Sequence, residues 1–152
     1  MTLIRKIDEE DLTEVQSLIE ETIRRCYPRI YPPSVVDFFL KHHSRHALEK
    51  RMQKGTVLVL HEEDHLYGTG FLVENELGGV YVHPDKQGKG FGTEIVLRLL
   101  ETARKKNLAN IWLDATPLAK PLYDKLGFTL VSPMLQLVNN EPLHYFRMEI
   151  FL

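Results

Sequence analysis

The stretch from Val80 to Thr93, Val-Tyr-Val-His-Pro-Asp-Lys-Gln-Gly-Lys-Gly-Phe-Gly-Thr, constrains the fold more than any other part of the chain. An apolar strand breaks at His83-Pro84 and passes through a polar turn. Glycines then stand at alternate positions, Gly88, Gly90 and Gly92, before an amphipathic helix begins. Glycines packed this closely cost backbone entropy unless the main chain must adopt positive φ or come close to something. A helix N-terminus just behind them offers unpaired N–H groups and the positive end of the helix dipole. The combination predicts an anion site, and phosphate is the anion it suits best.

The elements around this stretch follow from hydrophobic period and punctuation. Leu3 to Ile7 reads as a strand. Asp8 and Asp11 read as N-cap and N3 of a helix whose Leu12, Val15, Leu18, Ile19, Thr22, Ile23 and Cys26 share one face. Tyr27-Pro28 and Tyr31-Pro32-Pro33 end it in a rigid aromatic connector. Ser34 is expected to cap a short helix carrying Val35, Val36, Phe38, Phe39 and Leu40, and Ser44 to cap another that ends at Gly55. Thr56 to Leu60 and Leu66 to Val73 are strands around a polar turn at His61 to His65, and Leu77 to Val82 follows the turn Glu74-Asn75-Glu76. The helix behind the glycines buries Ile95, Val96, Leu99, Leu100 and Ala103 and ends near Asn107. Ile111 to Leu113 is a short buried strand, and Leu118 to Leu126 is a small helix stopped by Gly127. Strands over Phe128 to Val131 and Leu143 to Ile150 close the chain. Hairpins in the middle and a strand–helix–strand crossover later predict an α/β fold in one domain, residues 1–152. Its mixed, largely antiparallel sheet of about seven strands would carry helices on both faces.

Composition excludes several function classes. A net charge of -2 argues against a general grip on nucleic acid. The single cysteine, Cys26, allows no internal disulfide and suits a reducing compartment. The first residues run at once into acidic ones, unlike a signal peptide, and no apolar run approaches membrane-spanning length. The expected setting is cytoplasmic, without a membrane partner. His42, His43 and His46 lie between helices with no cysteine or carboxylate at ligand spacing, so they read as polar surface and no metal is expected.

Glycine spacing then separates the phosphate motifs. A dinucleotide fingerprint needs G-x-G-x-x-G, but Thr93 stands where the third glycine should be. A Walker A loop needs four residues between its first glycine and a Gly-Lys-Ser/Thr, which this stretch lacks. What matches is Gln87-x-x-Gly90-x-Gly92 behind Val80-Tyr81-Val82-His83-Pro84, which resembles the acyl-CoA signature of the GNAT superfamily of N-acetyltransferases. The segment from Asp114 to Phe128 resembles the later motif of that family, with Tyr123 four residues before Gly127-Phe128. The two motifs stand in the family's order and at its usual separation.

The resemblance implies a GNAT-type fold, acetyl-CoA as cosubstrate, and direct acetyl transfer to a primary amine in a ternary complex. Under it, the N–H groups of Gly88, Lys89, Gly90, Phe91, Gly92 and Thr93 cradle the CoA pyrophosphate, and Lys89 adds a point charge. Val80, Tyr81 and Val82 pair with the pantetheine arm along a strand edge that splays from its neighbour. The Val82 N–H faces the thioester carbonyl, and Tyr123 acts as general acid toward the leaving sulfur. Read without the resemblance, Val80 and Val82 are plain core, Lys86 and Lys89 a solvated turn, and Tyr123 a core aromatic beside the stripe Leu118-Leu122-Leu126. The base stays open between Glu76, where some family members place a glutamate, Asp114, and a water chain. Many members carry Asn where Thr116 stands, and a hydroxyl supplies part of that contact. Tyr27, Tyr31, Phe38 and Phe39 lie where the family builds its acceptor wall, and a loop over Ser132 to Glu141 is expected to cover the other side. Glu74, Glu76 and Asp114 would draw a cationic acceptor, a small molecule or a protein amino group. The C-terminal strands could pair across a homodimer. A CoA-binding or sensing module without turnover is the alternative.

Overall fold

The run Thr56-Val-Leu-Val-Leu has no polar face, and the fold buries both of its faces. The computed structural model describes residues 2–152. In it, Leu58 and Leu60 pack into one hydrophobic layer and Val59 into the other. The strand that carries them, β2 (Thr56–Glu62), lies between β1 (Thr2–Lys6) and β3 (His65–Val73). The full sheet has seven strands in the order β1-β2-β3-β4-β5-β7-β6, with β4 (Glu76–Val82), β5 (Asn110–Ala115), β6 (Thr129–Val138) and β7 (Glu141–Phe151). Every neighbouring pair is antiparallel except β4 with β5.

Helices α1 (Leu12–Cys26), α2 (Pro33–His42) and α3 (Arg45–Lys54) cover one face, and α4 (Phe91–Lys105) and α5 (Lys120–Lys125) cover the other. The α1 stripe Leu12, Val15, Leu18, Ile19, Thr22 and Ile23 is buried as its period requires, and so is the α4 stripe. Asp11 closes the entry to α1 by accepting the Asp8 N–H at 2.8 Å, and Ser44 caps α3 by accepting the Ala47 N–H at 3.3 Å. Gly68 and Gly70 let α4 sit close on β3, since a Cβ there would come within 2.7 Å and 2.8 Å of Ile95.

Three expectations need correction. Ser34 does not cap α2: the helix begins at Pro33, whose fixed φ suits the first helical position, and Pro32 precedes it in extended backbone. The polar turn of the β2–β3 hairpin is narrower than His61 to His65, because pairing continues to Glu62↔His65. Most consequentially, Ser132 to Glu141 is not a loop. It forms most of β6 and the turn of a long β6–β7 hairpin, with Asn139 and Asn140 both in left-handed backbone (φ 50° and 64°). Asn tolerates that region, and such a turn matches the twist of the paired strands. Pro133 breaks no ladder because β6 is the edge strand.

Candidate active site

The parallel contact between β4 and β5 positions everything that follows. Their ladder holds a single register pair, Glu76↔Trp112, backed by the Trp112 N–H donating to the Asn75 carbonyl at 3.0 Å. Beyond it the strands part and a cleft opens between them. On its other side β4 stays paired to β3, with His83 N–H donating to the Tyr67 carbonyl at 2.8 Å. Strand alternation therefore turns the Tyr81 amide groups toward β3 and those of Val80 and Val82 toward the cleft.

A bulge sets which side chains reach the cleft. Phe71 pairs with Gly78 and Thr69 with Tyr81, so two β4 residues, Gly79 and Val80, oppose the lone Gly70. Gly79 takes φ 59°, and the Phe71 ring lies across Gly78 and Gly79 where a Cβ would come within 2.6 Å and 2.7 Å of it. Glu76 and Tyr81 are an odd number of residues apart and would face opposite ways in a regular strand. The extra residue turns both into the same cavity.

One arm of the cleft is built from backbone. Gly88 and Gly90 take φ 79° and 87°, and a Cβ on either would meet nothing within 4 Å. Gly90 sits at the N-cap of α4, whose first bond runs from the Glu94 N–H to the Gly90 carbonyl at 3.0 Å. Among the described residues, the N–H groups of Gly88, Lys89, Gly90, Phe91, Gly92 and Thr93 find no protein acceptor. Unpaired donors at a helix start, facing open space, make an anion cradle. Phe91 anchors the loop by burying its ring in the core, and Gln87 braces it by donating from Nε2 to the Val82 carbonyl at 3.0 Å. A cavity of about 430 Å³ runs along this arm, lined by Val80, Val82, Gln87, Gly90, Leu118 and Leu122 among others. Lys89 does not line it. Lys86 does, but is paired with Glu62 at 2.9 Å.

The other arm is a cavity of about 180 Å³ built from side chains of α2, β3, β4, β5, α5, β6 and β7. Tyr27, Phe38, Phe39, Phe71 and Tyr145 supply aromatic wall, and Glu76 and Asp114 its carboxylates. Half-burial, and then the neighbouring Asp114, hold the Glu76 carboxyl above its ordinary range, against the pull of Arg51 and Arg147. Asp114 accepts two bonds from Arg147, at 2.8 Å and 3.0 Å, with the guanidinium stacked 4.6 Å over Trp112. The two cavities share Tyr27, Val80, Tyr81, Thr116 and Ala119. They meet along β4.

The structure departs from the sequence reading at four side chains or groups of them. Tyr123 is itself buried, 4% exposed, packed edge-on to Phe128 at 5.4 Å between centroids, while Leu118 of the expected stripe is 47% exposed. The cause is that α5 starts only at Lys120, so Leu118 precedes it and shares the backbone-built cavity with Leu122. Burial raises the Tyr123 phenol well above its ordinary value, so it holds its proton. His42 and His43 are not simply polar surface. His43 is buried and lines the side-chain cavity with His42. The guanidinium of Arg51 donates to His43 Nδ1 at 2.9 Å. Arginine only donates, so this imidazole is neutral with its proton on Nε2, and burial with Arg51 nearby holds its pKa well below the usual histidine range. Thr116 uses its hydroxyl to accept the Ala119 N–H at 3.2 Å, bracing the approach to α5. Glu74 does not line the cavity, and Glu76 and Asp114 stand beside arginines, so the expected pull on cations is largely offset.

Sequence reasoning missed Gly78-Gly79, Arg51 and Arg147. A glycine pair inside an apolar strand was the available signal for the bulge. The arginines carried none, because nothing in the sequence marks where α3 and β7 bring them. Among the described residues, no His, Cys, Asp and Glu group is placed to hold a metal ion, and no helix is long and apolar enough to cross a membrane.

Comparison with known proteins places this architecture in a family. The family model for the acetyltransferase (GNAT) domain matches residues 19–150, so the chain belongs to the GNAT acetyltransferases. A GCN5-related N-acetyltransferase from Rhodopseudomonas palustris superposes with a TM-score of 0.90 at 19% identity, over 100% of this chain and 96% of the other. PaiA N-acetyltransferase from Thermoplasma acidophilum, solved in complex with coenzyme A, gives 0.83 at 20% identity over 100% and 99%. The ribosomal-protein-S18-alanine N-acetyltransferase from Escherichia coli gives 0.76 at 17% over 99% and 94%. At these identities the likeness speaks for the fold.

Proposed function

We propose that this chain transfers the acetyl group of acetyl-CoA directly to a primary amine, with both substrates bound together. The observation that carries the reading is the meeting of the two cavities along Val80 and Tyr81. One arm suits a phosphate-bearing donor, and the other is a side-chain-lined cavity for an acceptor.

Acetyl-CoA supplies an activated acetyl thioester and a pyrophosphate handle. The free N–H groups from Gly88 to Thr93 fit that handle, with the dipole of α4 behind them. Gln87 occupies the Val82 carbonyl, which leaves the Val82 N–H as the cleft-facing donor of that peptide pair. Aimed at the thioester oxygen, it would stabilise the negative charge that develops there. Tyr123 lines the cavity with its proton firmly held, which suits a hydrogen-bond donor to the departing sulfur. An alkylamine is mostly protonated at neutral pH, with a reference pKa of about 10.4 for lysine, and must lose a proton before attack. Glu76 is the carboxylate best suited to receive it. Its affinity for protons is raised, whereas Asp114 is held by Arg147. Thiol release from acetyl-CoA over a panel of primary amines tests the reading, with Tyr123→Phe beside the wild type. Amine-dependent release that falls about 10-fold or more in Tyr123→Phe is expected. Coenzyme A binding without release on any amine would leave a binding module instead, and unchanged release in Tyr123→Phe would remove Tyr123 from the chemistry.

A further inference from the structure

We infer that the acceptor is a compact primary monoamine with an aromatic or apolar body and no carboxylate, a class for which 2-phenylethylamine is a fair probe. This rests on the acetyl-transfer reading above and adds what the acceptor cavity selects.

Charge is the first observation. Glu76 and Asp114 are the only acidic or basic side chains, histidines aside, among the residues lining the cavity. Arg147 compensates the charge of Asp114 with a bond to each oxygen, so Glu76 is left as the one lining carboxylate without a bonded cation. An acceptor with two or three ammonium groups would bring at least one cation into an apolar wall without a partner, which is costly. A carboxylate on the acceptor fares no better. Of the two cations beside the lining, Arg147 is paired with Asp114, and Arg51 donates to His43 Nδ1 at 2.9 Å and to the His42 carbonyl at 3.1 Å, with its guanidinium 4.4 Å over the Phe71 ring. Arg51 does not line the cavity.

Shape and surface are the second. At about 180 Å³ the cavity holds a small body rather than a length of polypeptide. Tyr27 is buried and packs edge-on against the partly buried Phe39 at 4.9 Å. Toward solvent, Phe38 and His42, one turn apart on α2, stack nearly parallel (5.8 Å between centroids, 10° between planes). Aromatic faces of this kind gain most from another ring or an apolar chain.

The test measures kcat/KM by thiol release at saturating acetyl-CoA for 2-phenylethylamine, ethylamine, phenylalanine, spermidine and a short peptide with a free N-terminus. 2-Phenylethylamine is expected to exceed phenylalanine, spermidine and the peptide by about 30-fold or more, the scale of one unpaired charge on an apolar wall. In Phe38→Ala, at a partly buried site on the edge of one hydrophobic layer, 2-phenylethylamine should lose about 10-fold while ethylamine loses little. Efficient acetylation of phenylalanine, spermidine or the peptide would overturn the class while leaving acetyl transfer intact. Equal loss for 2-phenylethylamine and ethylamine in Phe38→Ala would overturn the aromatic contact. If none of the amines is turned over by protein that binds acetyl-CoA, the transfer reading itself fails and this inference falls with it.

Discussion

The two arms of the cleft are made of different material. The arm along the α4 N-terminus presents peptide N–H groups from Gly88 to Thr93, and side chains there mainly brace the loop. The acceptor arm presents side chains drawn from seven elements, and its charged groups are tuned by neighbours such as Arg51 and Arg147. A backbone-built site can bind the same ligand in many proteins, because its donors do not depend on side-chain identity. A side-chain-built site can change its ligand by a few substitutions without disturbing the fold. The difference predicts that damage to the first arm removes donor binding altogether, whereas damage to the second changes rate or preference.

The largest effect should come from Gly90→Glu. It places a carboxylate in the open space beside the unpaired N–H groups and forces a side chain into backbone at φ 87°. Coenzyme A affinity measured by calorimetry should fall about 100-fold or more, the equivalent of roughly 3 kcal/mol. Gly90 is exposed and touches no core, so the fold should persist by circular dichroism. Retained affinity would break the assignment of this arm to the donor.

Gly79→Val attacks the hinge between the arms. Positive φ and a Cβ within 2.7 Å of Phe71 oppose it together. A stability loss of about 2–4 kcal/mol is expected in urea titration. Surviving protein should acetylate far more slowly, since a straightened β4 would turn Glu76 and Tyr81 to opposite faces.

The same contrast explains what was legible in the sequence. Gly88 and Gly90 announced their arm because glycine enters open left-handed backbone at least cost, and the α1 and α4 stripes announced the layers because burial follows a helical period. The acceptor arm left no such mark. His43 looked like one polar residue among three, yet it is buried under Arg51 eight residues further on. Tyr123 stands in sequence beside a leucine stripe because spacing alone starts α5 at Leu118 in place of Lys120. The β6–β7 hairpin passed for a loop because Ser132 and Pro133 interrupt its alternation at a bulge on the edge strand. Each of these depends on side-chain packing and strand pairing in three dimensions, and spacing alone does not encode them.

Glu76 sharpens the comparison through pH. A base works only when ionised, so kcat/KM should fall as pH drops through its raised pKa, at higher pH than an ordinary glutamate would give. Stability runs the other way. Folded Glu76 binds its proton more tightly than the unfolded chain does, so its contribution is present below the ordinary glutamate range and is lost as pH rises through the raised value. Glu76→Gln should lower kcat about 100-fold, remove that acid limb from the rate profile, and cost no stability at neutral pH. Loss of stability in place of rate would mark Glu76 as a structural group.

The smallest effect belongs to Arg147→Gln. The pair with Asp114 is partly solvent-exposed and screened by water, so stability should change by less than about 1 kcal/mol. Freed of its partner, Asp114 should make the cavity more welcoming to cations, and KM for a diamine should fall relative to that for a monoamine.

The central claim is that donor and acceptor occupy their two arms at the same time and meet at the edge of β4. Initial rates measured while acetyl-CoA and 2-phenylethylamine are varied against each other test it most directly, with any amine the enzyme accepts as a substitute probe. Intersecting double-reciprocal lines are predicted, as for a ternary complex. Parallel lines, accompanied by an acetyl group retained on the protein before amine is added, would contradict it.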